Sequence, residues 1–174
     1  MTHRVSPLGA LITGAIGGLM GTAVMTGMMK AGIPMLQRMG LQLPQPERPM
    51  LKAPDQPGPD TPTEELAERV VEGVMERPIS EETKRKAGEA IHWGYGMAWG
   101  AAYGIVQGTL HLPHRLAGLL LGTVVWLISL TVVPSMGLQT PPPEGRTKFN
   151  LMSLMMHLVY GTATARMFRM LARA

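Results

Sequence analysis

The sequence predicts an all-α integral membrane fold: a four-helix bundle of two duplicated helical hairpins, with a polar insert in the first. Three observations lead there. Four long stretches carry no Asp, Glu, Lys or Arg. Eleven of the 12 acids fall between Glu47 and Glu89, and the other is Glu144. The phrase MGLQLPQPE at 39–47 returns as MGLQTPPPE at 136–144, with seven of nine positions identical.

The acids matter first. A water-soluble domain scatters them over its surface, because charged groups resist burial. Here residues 1–46, 90–143 and 145–174 have none, so modest average hydropathy conceals a polar insert between very apolar flanks. The +4 net charge does not point to nucleic acid, since no basic stripe interleaved with aromatics accompanies it. No cysteine is present, which excludes disulfides, thiolate metal sites and a Cys nucleophile. The 16 methionines read as flexible apolar filler in helices.

The expected spans are Val5–Met29, Ala90–His114, Leu116–Pro143 (apolar to about Met136) and Phe149–Ala165. A bilayer needs about 20 apolar residues. The fourth is short, and Arg166 and Arg169 extend it by snorkelling. A signal peptide is the alternative for the first, but its apolar core would be only about 7–15 residues long.

Small residues predict close packing. Gly96, Gly100, Gly104 and Gly108 recur every four residues, with Gly88 in the same register; Gly14/Gly18, Gly17/Gly21 and Gly118/Gly122 repeat the spacing. Such a face lets another backbone approach.

The insert, 44–86, opens with seven prolines between Pro44 and Pro62 and should be extended there. A helix follows, capped by Thr61 with Pro62 in its first turn and Glu64 completing a capping box. Leu66, Val70 and Val74 form its apolar face, and Pro78 ends it. Ser80 caps the next helix, which carries Lys84, Arg85 and Lys86 into the second span. The charge run reads as a solvated helix lying at the membrane interface.

Each MGLQ phrase follows an odd span, and each even span carries His-x-x-Tyr-Gly: His92 to Gly96, and His157 to Gly161. The chain thus reads as one membrane domain, 1–174. Hairpin 5–110 contains the insert and hairpin 116–171 is its copy. The MGLQ phrases are offset by 97 residues and the His motifs by 65, which makes the insert about 32 residues. Two-span units return to their starting side, so the copies run parallel. Gln42, Glu47, His92, Tyr95, Gln139, Glu144, His157 and Tyr160 are then expected at one mouth of the bundle.

HWGYGMAWGAAYG at 92–104, VPSMGLQTPPPE at 133–144 and HLVYG at 157–161 resemble the YagU-like family of small bacterial inner-membrane proteins. The resemblance covers most of the chain through short, glycine-rich motifs. It implies a location and a fold, and no reaction. Some members carry acids late in the third span, where this chain has Ile128-Ser129-Leu130-Thr131, which weakens a proton relay.

A histidine within a membrane is costly unless satisfied and marks a functional position. The plain alternative is that His92 and His157 tie helices together. As a pair at equal depth they suit axial haem ligation, and with Glu47 and Glu144 a metal site. No nucleophile, base and orienter set appears. The expectation is a non-enzymatic multi-pass subunit for packing, assembly or interaction, with no catalytic residue, resident metal or cofactor. Small-solute or proton permeation is one alternative, and a b-type haem subunit ligated by His92 and His157 another. The expected partners are the lipid bilayer and a homo-oligomer or larger membrane complex, with no nucleic acid. The expected place is the bacterial inner membrane, with both termini cytoplasmic.

Overall fold

A computed structural model describes residues 6–41, 60–76, 78–138 and 146–172, and among them it is entirely helical. The elements are α1 (Pro7–Gly27), a π-helical turn (Met28–Gly32), α2 (Ile33–Arg38), α3 (Pro62–Met75), α4 (Glu81–Leu110), α5 (His114–Ser135) and α6 (Arg146–Leu171). Pro34 explains the π turn. It has no N–H for the Lys30 carbonyl and its ring crowds that oxygen, and the widened turn precedes it. Ile33 N–H accordingly reaches back five residues, to Met28 O. Pro7–Arg38, read as one helix, and His114–Ser135 are long and apolar enough to cross a membrane.

The repeated Met-Gly-Leu has a local meaning in both places. Gly40 and Gly137 take φ of +87° and +66°, the left-handed region that glycine enters without a Cβ clash. Leu41 N–H bonds Leu36 O and Gly40 N–H bonds Gln37 O; Leu138 N–H bonds Val133 O and Gly137 N–H bonds Pro134 O. These are the paired bonds of a Schellman stop. The phrase ends α2 and α5 in the same way.

Tight helix pairing comes from glycine. A Cβ on Gly100 would run into the Gly14 carbonyl oxygen and the Gly18 Cα, and one on Gly14 would lie 2.7 Å from Gly104 Cα. The α1–α4 contact is therefore backbone on backbone. Gly122 and Gly161 make a second such crossing between α5 and α6. On another face of α1, Gly17 and Gly21 meet Thr164 and Tyr160 of α6. The four long helices thus stand in the order α4, α1, α6, α5, and α4 and α5 barely touch. Met25, Tyr103, Leu121, Val125, Met156 and Phe168 form the core among them.

The expected glycine ladder of α4 divides. Gly96, Gly100 and Gly104 are buried, whereas Gly108 is exposed and near only the Ala10 side chain. Gly88 receives the backbone of Glu64 on α3 instead.

That contact corrects the reading of α3. Its cap is the expected one: Glu64 N–H donates to Thr61 Oγ1, and Thr61 N–H to Glu64 Oε2 at 2.8 Å. The buried face, however, is Thr61, Glu64 and Ala67, while Val70 and Val74 are 53% and 80% exposed. The notch at Gly88 admits the α3 backbone, and Lys84 fixes the side that docks. Lys84 lies 2.9 Å from Asp60, 3.4 Å from Glu68 and 2.8 Å from Glu81. At the far side Arg69 donates to Met136 O and, at 2.8 Å, to Gly137 O, where a cation suits the carbonyl end of α5. The helix is a strap from α4 to the stop of α5. It ends at Met75 through Glu76 in a left-handed conformation (φ 53°), before Pro78 is reached.

Candidate functional site

Because α4 and α5 stand apart, a cavity of about 230 Å³ lies between them. Its wall combines α1 (Thr22, Met25), the π turn (Met29), α4 (Ile91, His92, Tyr95, Trp99), α5 (Val125, Ser129, Val132) and α6 (His157, Tyr160), with Pro62 and Leu66 of α3 across the mouth. Aromatic bulk accompanies the separation. On α4, Tyr95 and Trp99 form an edge-on pair with centroids 6.1 Å apart, whereas α1 meets α6 through Gly17 and Gly21 against Thr164 and Tyr160.

The structure brings four of the eight expected polar residues to this cavity: His92, Tyr95, His157 and Tyr160. Gln42, Glu47, Gln139 and Glu144 lie outside the described residues. The matched motif positions have different environments. Tyr160 is buried and donates to Gly96 O at 2.6 Å, tying α6 to α4. Tyr95 is exposed. His92 Nε2 lies 3.5 Å from Thr26 Oγ1, whereas His157 Nδ1 donates to Ser153 O at 2.7 Å.

That last bond decides some chemistry. It puts the neutral ring's proton on Nδ1 and leaves Nε2 as the acceptor. Ser153 Oγ is 3.4 Å from the same Nδ1, so the atom beside the hydroxyl already carries a proton. The pair is not arranged as nucleophile and base. Among the described residues no three His, Asp or Glu side chains cluster as metal ligands.

Sequence reasoning did not identify the wall contributed by Trp99, Met29, Ser129 and Val132, nor the roof from Pro62 and Leu66. No periodicity separates a side chain facing a cavity from one facing a neighbouring helix. Tyr160 hydrogen-bonded across to Gly96 was equally hidden, since donor and acceptor are 64 residues apart.

His92 and His157 face one cavity, and changes at them should be coupled. In a double-mutant cycle to Ala, detergent-phase stability should show an interaction of about 0.5 kcal/mol or more. An absorption spectrum of each variant accompanies the cycle. Additive losses would mean the rings act independently, and a Soret band lost in either single variant would make them haem ligands.

Comparison with family models, with curated proteins and with solved structures finds no match for this chain, so the chemistry of the site rests on its own geometry.

Proposed function

We propose that the chain is a multi-pass membrane protein in which α1, α4, α5 and α6 all cross the bilayer as two duplicated hairpins. It acts without catalysis, holding a small lipid-soluble molecule between α4 and α5. The observation that carries this reading is the cavity itself, apolar over most of its wall and bordered by two helices that hardly touch. A gap of that kind in a membrane bundle opens toward lipid, and apolar cavities with a few polar groups are the usual form of a ligand site. Exposed Met97, Ile105 and Val106 on α4, and Leu151 and Met155 on α6, suit these helices to lipid as well. The glycine seams favour binding over an assembly role, because all three are occupied by helices of the same chain.

The test uses Trp99, which lines the cavity. In a Trp93→Phe/Trp126→Phe background, 1-bromododecane should quench its fluorescence saturably. Ser129→Phe, which fills the cavity, should abolish the saturable part. Linear quenching unchanged by Ser129→Phe would overturn the reading.

Permeation is the second reading, on one observation. Tyr103 Oη and Gln107 Oε1 are buried without a partner among the described residues, one turn apart on α4, beyond the cavity toward the 111–113 loop. Buried polar atoms of this kind call for water. Proton flux into proteoliposomes that falls in Tyr103→Phe would favour permeation.

The proposed location is the bacterial inner membrane with both termini in the cytoplasm, as the YagU-like resemblance implies. Lys and Arg are nearly balanced between the two sides, and the long first loop weakens the charge rule. A reporter active only in the cytoplasm, fused after Ala174, should give signal. Signal only from an exterior-active reporter would invert the topology.

A further inference from the structure

We propose that the occupant of the cavity is a single-chain amphiphile with an anionic head, its chain between α4 and α5 and its head at Lys30 and Arg85. This rests on the cavity being a ligand site, and it goes further in naming the ligand's chemistry.

The cavity does not end at His92. A second, smaller hollow shares that ring and is lined also by Lys30, Thr61, Thr63, Glu64, Arg85 and Glu89. His92 and Thr63 border both spaces, so apolar and polar compartments adjoin at one imidazole. The hollow is about 20 Å³, close to the room one water needs, so one oxygen of a head group enters it while the rest stays at its mouth.

The charges of the hollow differ in their commitments. Glu64 is taken up by the cap, 2.8 Å from Thr61 N and 3.0 Å from Thr61 Oγ1. Glu89 also lines the hollow and, like Lys30, is exposed to water, which screens its charge. Neighbouring basic residues are held elsewhere: Lys84 by Asp60, Glu68 and Glu81, Lys86 by Glu82, and Arg69 by Glu65 and the α5 stop. Lys30 and Arg85 make no ion pair or hydrogen bond with a described residue, and both face the hollow. Two uncommitted cations at the polar end of an apolar cavity fit a carboxylate or phosphate, which accepts charge-assisted bonds from both.

The geometry supplies the tail. From His92 to Trp99 the wall of α4 runs seven residues, roughly 10 Å of helix at 1.5 Å per residue. A chain entering from the bilayer between α4 and α5 keeps its carbons beside Val125, Val132 and Trp99. Its head then emerges where the π turn of the first helix presents Lys30. A neutral hydrocarbon would fill the cavity and leave both cations unused.

The experiment compares three quenchers of Trp99 in the same Trp93→Phe/Trp126→Phe background: 12-bromododecanoate, 12-bromododecyl phosphate and 1-bromododecane. At least one anion should bind about tenfold more tightly than the bromoalkane, and the better of the two identifies the head as carboxylate or phosphate. Lys30→Gln/Arg85→Gln should remove that preference while leaving the bromoalkane bound, which also shows that the variant folds. Equal affinity for all three probes, or a preference that survives the double change, would overturn the anionic head with the cavity reading intact. Failure of all three to quench saturably would overturn the cavity reading itself.

Discussion

Gly100→Leu should dissolve the pairing of α1 with α4. The Cβ of residue 100 has no place to go, because its neighbours are the Gly14 carbonyl oxygen and the Gly18 backbone. No rotamer relieves a clash at Cβ, so the helices must move apart along the whole crossing and give up close contact at Gly96 and Gly104 too. Overpacking of an interior commonly costs 1–3 kcal/mol. A backbone-on-backbone seam belongs at or above the top of that range, so a loss of about 3 kcal/mol or more is expected. The protein should leave the folded peak on size exclusion in mild detergent. Gly94→Leu is the matched control, since a Cβ there meets nothing within 4 Å, and it should melt close to the parent. Equal behaviour of the two variants would mean the seam is not what joins α1 to α4.

Lys84→Gln should release α3 while leaving the long helices packed. Lys84 has a side chain only 7% exposed and holds Asp60 of the insert, Glu68 of α3 and Glu81 of its own first turn. The amide keeps much of the volume but loses the charge that three carboxylates share. A buried pair that loses one partner typically costs about 3–5 kcal/mol. Here the acids remain partly in water, so about 2 kcal/mol is expected, all of it local to the strap. Faster amide exchange at residues 63–75, with α1 and the part of α4 beyond its first turn unchanged, is the readout. Unchanged exchange on α3 would show that Gly88 and Arg69 suffice to hold it.

The pH dependence of this latch has a definite sign. Burial alone would lower the Lys84 pKa, but hydrogen bonds to Glu81 and Asp60 and the charges of Asp60 and Glu68 outweigh it, leaving a net rise from 10.5. A group with a raised folded pKa stabilises fully below its unfolded value and loses that contribution only as pH rises through the folded one. The lysine's part in docking α3 should therefore persist through mildly alkaline pH. Weakening of the strap between pH 8 and 10 would contradict this.

The sequence by itself determined that the chain is helical and where several helices begin or stop. Pro62 after Thr61, Glu64 closing the capping box, Ser80 before α4 and Met-Gly-Leu at two helix stops are local rules, decided by hydrogen bonds within about six residues. It also determined that glycine faces would pack, since no other feature removes enough side chain for backbones to meet. The tertiary structure alone decided which helix each glycine meets: Gly14 and Gly18 went to α4, Gly17 and Gly21 to α6, and Gly88 to the insert. It decided that Val70 and Val74 would stay exposed although they form the apolar stripe of α3, because Lys84 and the notch at Gly88 fix the docking side more firmly than apolar burial does. The cavity is the extreme case. It exists because α1 packs closely on α6 while aromatic α4 stands off α5, and a gap between elements far apart in the chain leaves no periodicity in either one. His92 and His157 could be read from the sequence as a pair, but their shared space, and the uncommitted Lys30 and Arg85 beside it, came only from the packing.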